Sequence, residues 1–217
     1  MSTPIDQRAD HRLPSGTEWD YWLAAHSQHP VTQDETDLFL TLTEMREGER
    51  VADFGCGTGE WTRALAGAGV QAHGFDFAGH AIRRARLDGP ADDYTRWDID
   101  ADSRVPSPLR AKVDVITFRD SFQWLRPDVI ARAFEHWLRP GGRIHIRDNT
   151  PPGLSCCPTG GTPEGVRWPH PPVDARFRRG LSVPEFSDVR WGAWTAHAES
   201  TDTATTLLVR PRDPRRN

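Results

Sequence analysis

Residues 51–60 read VADFGCGTGE, an apolar run that ends in three glycines, Gly55, Gly57 and Gly59, each two positions apart. Side chains are missing where a buried strand gives way to a helix-like stretch, so bare backbone is left for something to lie against. In open α/β folds such a turn is where nucleotides bind. Spacing narrows the choice. GxGxxG is the dinucleotide pattern, and here Glu60 takes the place of its third glycine. Acidic residues follow at the ends of the next two apolar runs. Asp76, in HGFDF, is placed to accept two hydrogen bonds from a ribose diol. Asp98, in RWDID, stands where an adenine edge would lie.

A second polar set follows the apolar run VDVITF: Arg119, Asp120, Gln123 and Trp124 in RDSFQW. Arg119 can pair through its planar fork with the carboxylate of a bound molecule, or with Asp120 or another neighbouring acid; both readings stand. Candidate bases are Asp120, His145, Asp148 and His170. His170, within WPHPP, is the stronger chemical choice of the two histidines, because one on a strand such as His145 more often packs. Cys56, Cys156 and Cys157 give no paired disulfide framework. Cys156, Cys157 and His170 lack a fourth ligand at zinc spacing, so no metal is assigned.

These residues need elements to hold them. Residues 18–25 predict a short helix, and Leu38, Leu42 and Met45 mark a helical face in the next segment. Strands are expected at 51–54, 70–75, 94–97 and 113–118, the last a β-branched run of the kind covered on both faces. Helices are expected between them at 61–68 and 78–87, with a further apolar stripe at Ile130, Ala133, Phe134, Trp137 and Leu138. The turn RPGG and the strand RIHIR follow that stripe. Alternating strand and helix demands a parallel sheet with helices on its faces. Residues 149–185, rich in Pro and Gly, form a long excursion that reads as a lid. Residues 188–200 and 203–209 then read as an antiparallel hairpin.

A chain of 217 residues suits one α/β domain. Its net charge of −4 argues against a nucleic-acid or membrane-surface binder. No stretch reads as a signal peptide or a membrane span, so a cytoplasmic location is the expectation. Nine tryptophans exceed what so small a core can hold, which sends several to a cleft or cap.

Four motifs in order, VADFGCGTG, GFDF, WDID and LRPGGRIHI, resemble those of the class I S-adenosylmethionine-dependent methyltransferases over roughly residues 46–148. The resemblance implies a Rossmann-like, doubly wound, seven-stranded sheet, mainly parallel with an antiparallel C-terminal hairpin. Residues 1–45 would be an N-terminal cap and 46–217 the donor-binding domain. It implies S-adenosylmethionine as donor and S-adenosylhomocysteine as product. Asp53 would meet the ammonium, and Gly55, Gly57 and Gly59 the amino-acid end and ribose. Asp76 would take the ribose hydroxyls, Phe77 and Ile99 sandwich the adenine, and Asp98 meet its edge. RDSFQW resembles the corresponding stretch of the trans-aconitate and malonyl-carrier carboxyl methyltransferases, with Arg119 replacing a small or amide residue. That segment borders donor and acceptor together, so Arg119 counts on both sides, with Gln123, Trp124, Trp22 and Trp168 on the acceptor side. His170, Asp120 and His145 are the catalytic candidates. The implied activity is methyl transfer to O or N of a small molecule, carboxylates and secondary metabolites included, by a monomer or homodimer. A non-methylating donor-binding member of the fold, a cyclase or partner protein, is the alternative. RDSF stands where nucleic-acid methyltransferases carry Asn/Asp-Pro-Pro-aromatic, which weighs against that class.

Overall fold

A computed structural model describes residues 15–25, 30–101, 104–125, 129–148, 194–200 and 205–211. The excursion 149–185, with Trp168 and His170, lies outside the described residues.

The chain begins with α1 (Gly16–Ala25) and α2 (Gln33–Thr43), then alternates β1 (Arg50–Phe54), α3 (Glu60–Gly67), β2 (Gln71–Asp76), α4 (Gly79–Asp88) and β3 (Tyr94–Arg96). A short α5 (Ser107–Arg110) leads to β4 (Val113–Arg119), and α6 (Val129–Arg132) leads to β5 (Leu138–Asp148). β6 (Trp194–Ser200) and β7 (Thr205–Pro211) close a seven-stranded sheet of order β3-β2-β1-β4-β5-β7-β6. β1 to β5 pair in parallel, and β7 runs antiparallel to both β5 and β6, as the hairpin pattern predicts.

The central strands β1 and β4 are buried on both faces, and alternation sorts their side chains between two cores. Phe54 is the hub of one, with ring centroids 5.4 Å from Phe75, 5.8 Å from Trp97, 5.6 Å from Phe118 and 5.6 Å from Trp137. Val51 faces the other way, into a cluster with Phe39 of α2 and Trp61 and Leu65 of α3. Trp61, Trp97 and Trp137 are buried, whereas Trp19, Trp22 and Trp124 are only half-buried. The expectation that the core cannot hold every indole is met by these six.

Two local expectations need correcting. The stripe at 130–138 is not one regular helix, because α6 widens at Ala133–Trp137 into a π-type turn. That geometry still seats Ala133, Trp137 and Leu138 in the core. β5 starts before the expected RIHIR: Leu138 pairs with Val113 and pairing resumes at Arg143 opposite Val115. RPGG therefore bulges out of the ladder rather than preceding the strand, with Gly141 at φ +81° and Arg139 bonded to Asp114 at 3.0 Å.

His145, on β5, is corrected as a catalytic candidate by this architecture. It faces the core beside α2 and α3, is 1% exposed, lies edge-on to Phe39 at 4.9 Å, and shares a 2.9 Å hydrogen bond with Thr117 Oγ1. Burial, with Arg147 nearby, pushes its pKa down to about 3. The folded protein thus keeps His145 neutral at pH values where the unfolded chain protonates it, so acid favours unfolding. From pH 7 to pH 5, the native sequence should lose about 2 kcal/mol more unfolding free energy than His145→Gln. Urea titrations at the two pH values measure the difference, and carboxylate contributions common to both proteins cancel.

Candidate functional site

The order of strands reverses between β1 and β4, since β1 continues to β2 on one side and the chain later returns to β4 on the other. Clefts in open α/β sheets form beyond the carboxyl ends of the strands at such a switch point. The glycine turn lies there. Gly55, which is exposed, and buried Cys56 both donate their N–H groups to Phe75 O, at 2.8 and 3.1 Å. Gly55 has φ +72°, and a Cβ on it would fall 2.4 Å from Ser121 Cβ, so the segment after β4 occupies the place of its side chain. Ser121 Oγ donates to Phe54 O at 2.6 Å and fastens the same contact. Gly57 has φ +56°, and Gly59 heads α3.

Asp76 ends β2 and is buried beside this turn. Its Oδ2 accepts the Gly57 N–H at 2.9 Å and its Oδ1 the Ala78 N–H at 2.8 Å. Each carboxylate oxygen keeps a second lone pair, so the group can hold the turn and still accept from a diol. Burial raises its pKa to about 6, with the Asp20 carboxylate adding to the rise and the backbone N–H groups opposing it.

Asp53 is held differently from the expectation. Its side chain turns into α3, where Thr62 Oγ1 donates to it at 2.6 Å, and it is 1% exposed. Burial raises its pKa to about 7, against the pull of Thr62 and Arg119. It underlies the turn rather than opening onto the cleft. Asp98 is half-buried, and its Oδ1 accepts the N–H groups of Asp100 and Ala101, which bends the chain after β3. Ile99 is buried, with its carbonyl held by Arg132.

Helix α1 bridges this edge of the sheet. A Cβ at its first residue, Gly16, would lie 3.3 Å from Phe77 O and 3.5 Å from the Phe77 ring. Asp20 Oδ1 accepts the His80 N–H at 2.6 Å and so caps the first turn of α4. Towards the other side, Trp19 meets Trp124 at 5.0 Å and Trp22 at 5.6 Å, both edge to face. Phe77, Trp22 and Trp124 are thus gathered around one helix, while Gln123 falls in the adjoining turn Phe122–Trp124.

Arg119 ends β4, but its fork is engaged with the protein. Nε and Nη2 donate to the two oxygens of buried Glu35 at 2.7 and 3.2 Å, Nη2 also reaches Pro30 O at 3.2 Å, and Nη1 lies 3.6 Å from Asp120. Arg119 is thus paired with an acid of the protein, Glu35. Asp120 has φ +56°, unusual for a residue with a Cβ, and donates its N–H to Arg147 O at 2.8 Å. Its carboxylate is partly exposed.

Sequence reasoning missed Asp20, Glu35, Thr62 and Ser121. Glu35 stands three residues after Thr32, and that pattern suggests a capping box closing back on the helix start. Thr32 does accept the Glu35 N–H at 3.2 Å, but the Glu35 side chain crosses to the sheet. Only the packing of α2 on β4 reveals that.

The methyltransferase domain family matches residues 24–197. The ubiquinone biosynthesis O-methyltransferase of Xylella fastidiosa (strain 9a5c) is 28% identical over 193 residues, 82% of this chain and 77% of that protein. Its namesake from Xanthomonas oryzae pv. oryzae (strain PXO99A) is 30% identical over 128 residues, 56% of this chain, and the chain spans only 50% of that relative's length. Among solved structures, the plantazolicin methyltransferase BpumL, in complex with pentazolic desmethylPZN analog and SAH, aligns with a TM-score of 0.58. It is 12% identical, covering 91% of this chain and 86% of that one, a likeness of fold.

If Asp76 both shapes the turn and accepts from a ribose, truncating it removes charge-assisted hydrogen bonds worth roughly 1.5–3 kcal/mol. Asp76→Ala should therefore bind S-adenosylhomocysteine about 10- to 100-fold more weakly than the native protein. Calorimetry on a variant with native circular dichroism measures this, and equal affinities would rule out Asp76 as the ribose acceptor.

Proposed function

Because the chain belongs to the methyltransferase domain family and is an S-adenosylmethionine-dependent methyltransferase, we propose that it methylates an oxygen or nitrogen atom of a small organic molecule. A hydroxyl oxygen is the favoured acceptor. The observation that carries the donor side is the bare glycine turn bonded across to Asp76 at the switch point. The names of the O-methyltransferase relatives support oxygen. A carboxylate acceptor loses support because Arg119 already serves Glu35.

In this reading the turn of Gly55, Gly57 and Gly59, with Ser121 filling the side-chain space of Gly55 and Tyr94 that of Gly59, presents its backbone to the donor's amino-acid end and ribose, and Asp76 accepts the ribose hydroxyls. Phe77 and Ile99 flank the adenine, with Asp98 and the chain it bends at the adenine edge. Asp53 acts from beneath the turn as a buried source of negative charge. The donor supplies an electrophilic methyl carbon on a sulfonium. The protein's work is to align the acceptor oxygen with that carbon and to exclude water. Asp120, partly exposed at the end of β4, takes the acceptor's proton as the oxygen–carbon bond forms and the carbon–sulfur electron pair returns to sulfur. Trp19, Trp22 and Trp124 offer an apolar wall suited to a flat acceptor.

Residues 1–45 form a cap and residues 46–217 the catalytic domain. The protein works in the cytoplasm as a monomer or homodimer, without nucleic acid or membrane. Among the described residues, no helix is long and apolar enough to cross a membrane.

The test is a screen of phenols, small acids and amines with purified protein and isotope-labelled S-adenosylmethionine, read by product mass. Labelled phenol ethers are the expected products, and labelled esters alone would overturn the hydroxyl assignment. The donor side is checked separately with Gly57→Val. A branched side chain at φ +56° is strained and, on this reading, takes volume the donor needs. Binding of S-adenosylhomocysteine should be lost in calorimetry while circular dichroism keeps its α/β signature.

A further inference from the structure

Glu35 lies in the first turn of α2, far in sequence from the glycine turn, yet it is 4% exposed and is the hub of a buried ion cluster. Its Oε1 meets Arg119 Nε at 2.7 Å and Arg147 Nε at 2.8 Å, and its Oε2 meets Arg119 Nη2 at 3.2 Å. The two arginines are register partners at the carboxyl ends of β4 and β5. One carboxylate therefore sets the ends of two adjacent strands at the edge where the glycine turn lies.

The two arginines differ in what they touch next. Arg147 continues away from the turn, donating from Nη1 to Thr206 Oγ1 on β7 at 3.2 Å. Arg119 continues towards it. Its Nη1 lies 3.6 Å from Asp120, its guanidinium carbon lies 6.0 Å from the centre of the Trp61 ring of α3, and its charge opposes the rise in the pKa of Asp53. Asp120 follows it at φ +56°, and the next residue, Ser121, bonded to Phe54 O, fills the space beside Gly55 that a Cβ would need. A shift of Arg119 thus moves the wall on which the glycine turn rests. Removing the Glu35 charge would leave the Arg119 guanidinium buried beside a neutral partner, a state that favours such a shift.

We propose that Glu35 is a positioning residue for the methyl donor, acting through Arg119 on the Asp120–Ser121 turn that packs against Gly55. The inference rests on the reading of the glycine turn as the donor site. Glu35 touches no ligand itself. Its charge holds the floor of the donor site in shape from the N-terminal segment.

The test compares Glu35→Gln, Arg119→Lys and Arg147→Met for binding of S-adenosylhomocysteine by calorimetry and for stability by urea unfolding, with circular dichroism confirming folded protein. Glu35→Gln removes charge at constant shape, and Arg119→Lys keeps charge but loses the fork. Both should weaken binding by about 10-fold, a loss equal to one charge-assisted hydrogen bond. Arg147→Met breaks the same cluster and lowers stability as well, but affinity should stay within about 3-fold, because the side chain it removes turns to Thr206 while the Arg147 carbonyl that accepts the Asp120 N–H is kept. A purely structural role for Glu35 predicts that affinity follows stability alike in all three variants, and that result would overturn the proposal. So would unchanged affinity in a folded Glu35→Gln or, should that variant fail to fold, in Arg119→Lys. Failure of the native protein to bind S-adenosylhomocysteine would instead remove the donor reading, and this inference with it.

Discussion

The Asp76 carboxylate accepts the Gly57 N–H from one oxygen and the Ala78 N–H from the other. That pair of bonds joins the glycine turn after β1 to the start of α4 after β2, and the remainder of the site is arranged around it. Bare backbone alone would be free to take many shapes, since glycine loses the most conformational entropy on folding. Tying Gly57 to a buried carboxylate, and Gly55 and Cys56 to Phe75 O, removes that freedom where a ligand would need a preformed surface. A donor that meets a preformed turn loses less affinity to ordering the protein.

The cost of this arrangement is electrostatic. Burial raises the pKa of Asp76 to about 6 and of Asp53 to about 7, so the site holds two carboxyl groups that resist ionisation in the free protein. Cationic balance comes from Arg119, whose own charge is secured by Glu35. A cationic ammonium and sulfonium arriving beside such groups would stabilise their ionised forms, since an opposite charge nearby favours the charged state. On this reading, ligand charge and buried acid charge are matched across the turn.

On the proposed reading, the acceptor side is built on packing more than on charge. The first half of helix α1 rests on Phe77 at Gly16, brings Trp19 against Trp124, and caps α4 with Asp20. These contacts link the two halves of the sheet across the switch point. An aromatic wall of this kind favours flat apolar groups over charged ones, which accords with the phenolic acceptor proposed above.

The sequence alone determined the features that local pattern sets. The alternation of short β-branched runs with helical stripes required a parallel sheet, the GxGxG spacing set the first turn apart from a dinucleotide site, and Asp76 stood at the end of its strand. Those features depend on neighbours within a few residues, where periodicity and glycine placement speak directly. What only the tertiary structure decided is the partner of each polar side chain. Glu35 and Arg119 meet across 84 positions of sequence, and His145 is buried beneath Phe39 rather than facing the cleft. Asp53, similar to Asp76 in sequence setting, turns into α3 to meet Thr62. A polar residue at a strand end can face a ligand, a helix or another charge with the same local sequence. Burial and long-range pairing choose among these, because an ionisable group taken out of water must find a partner wherever the fold supplies one.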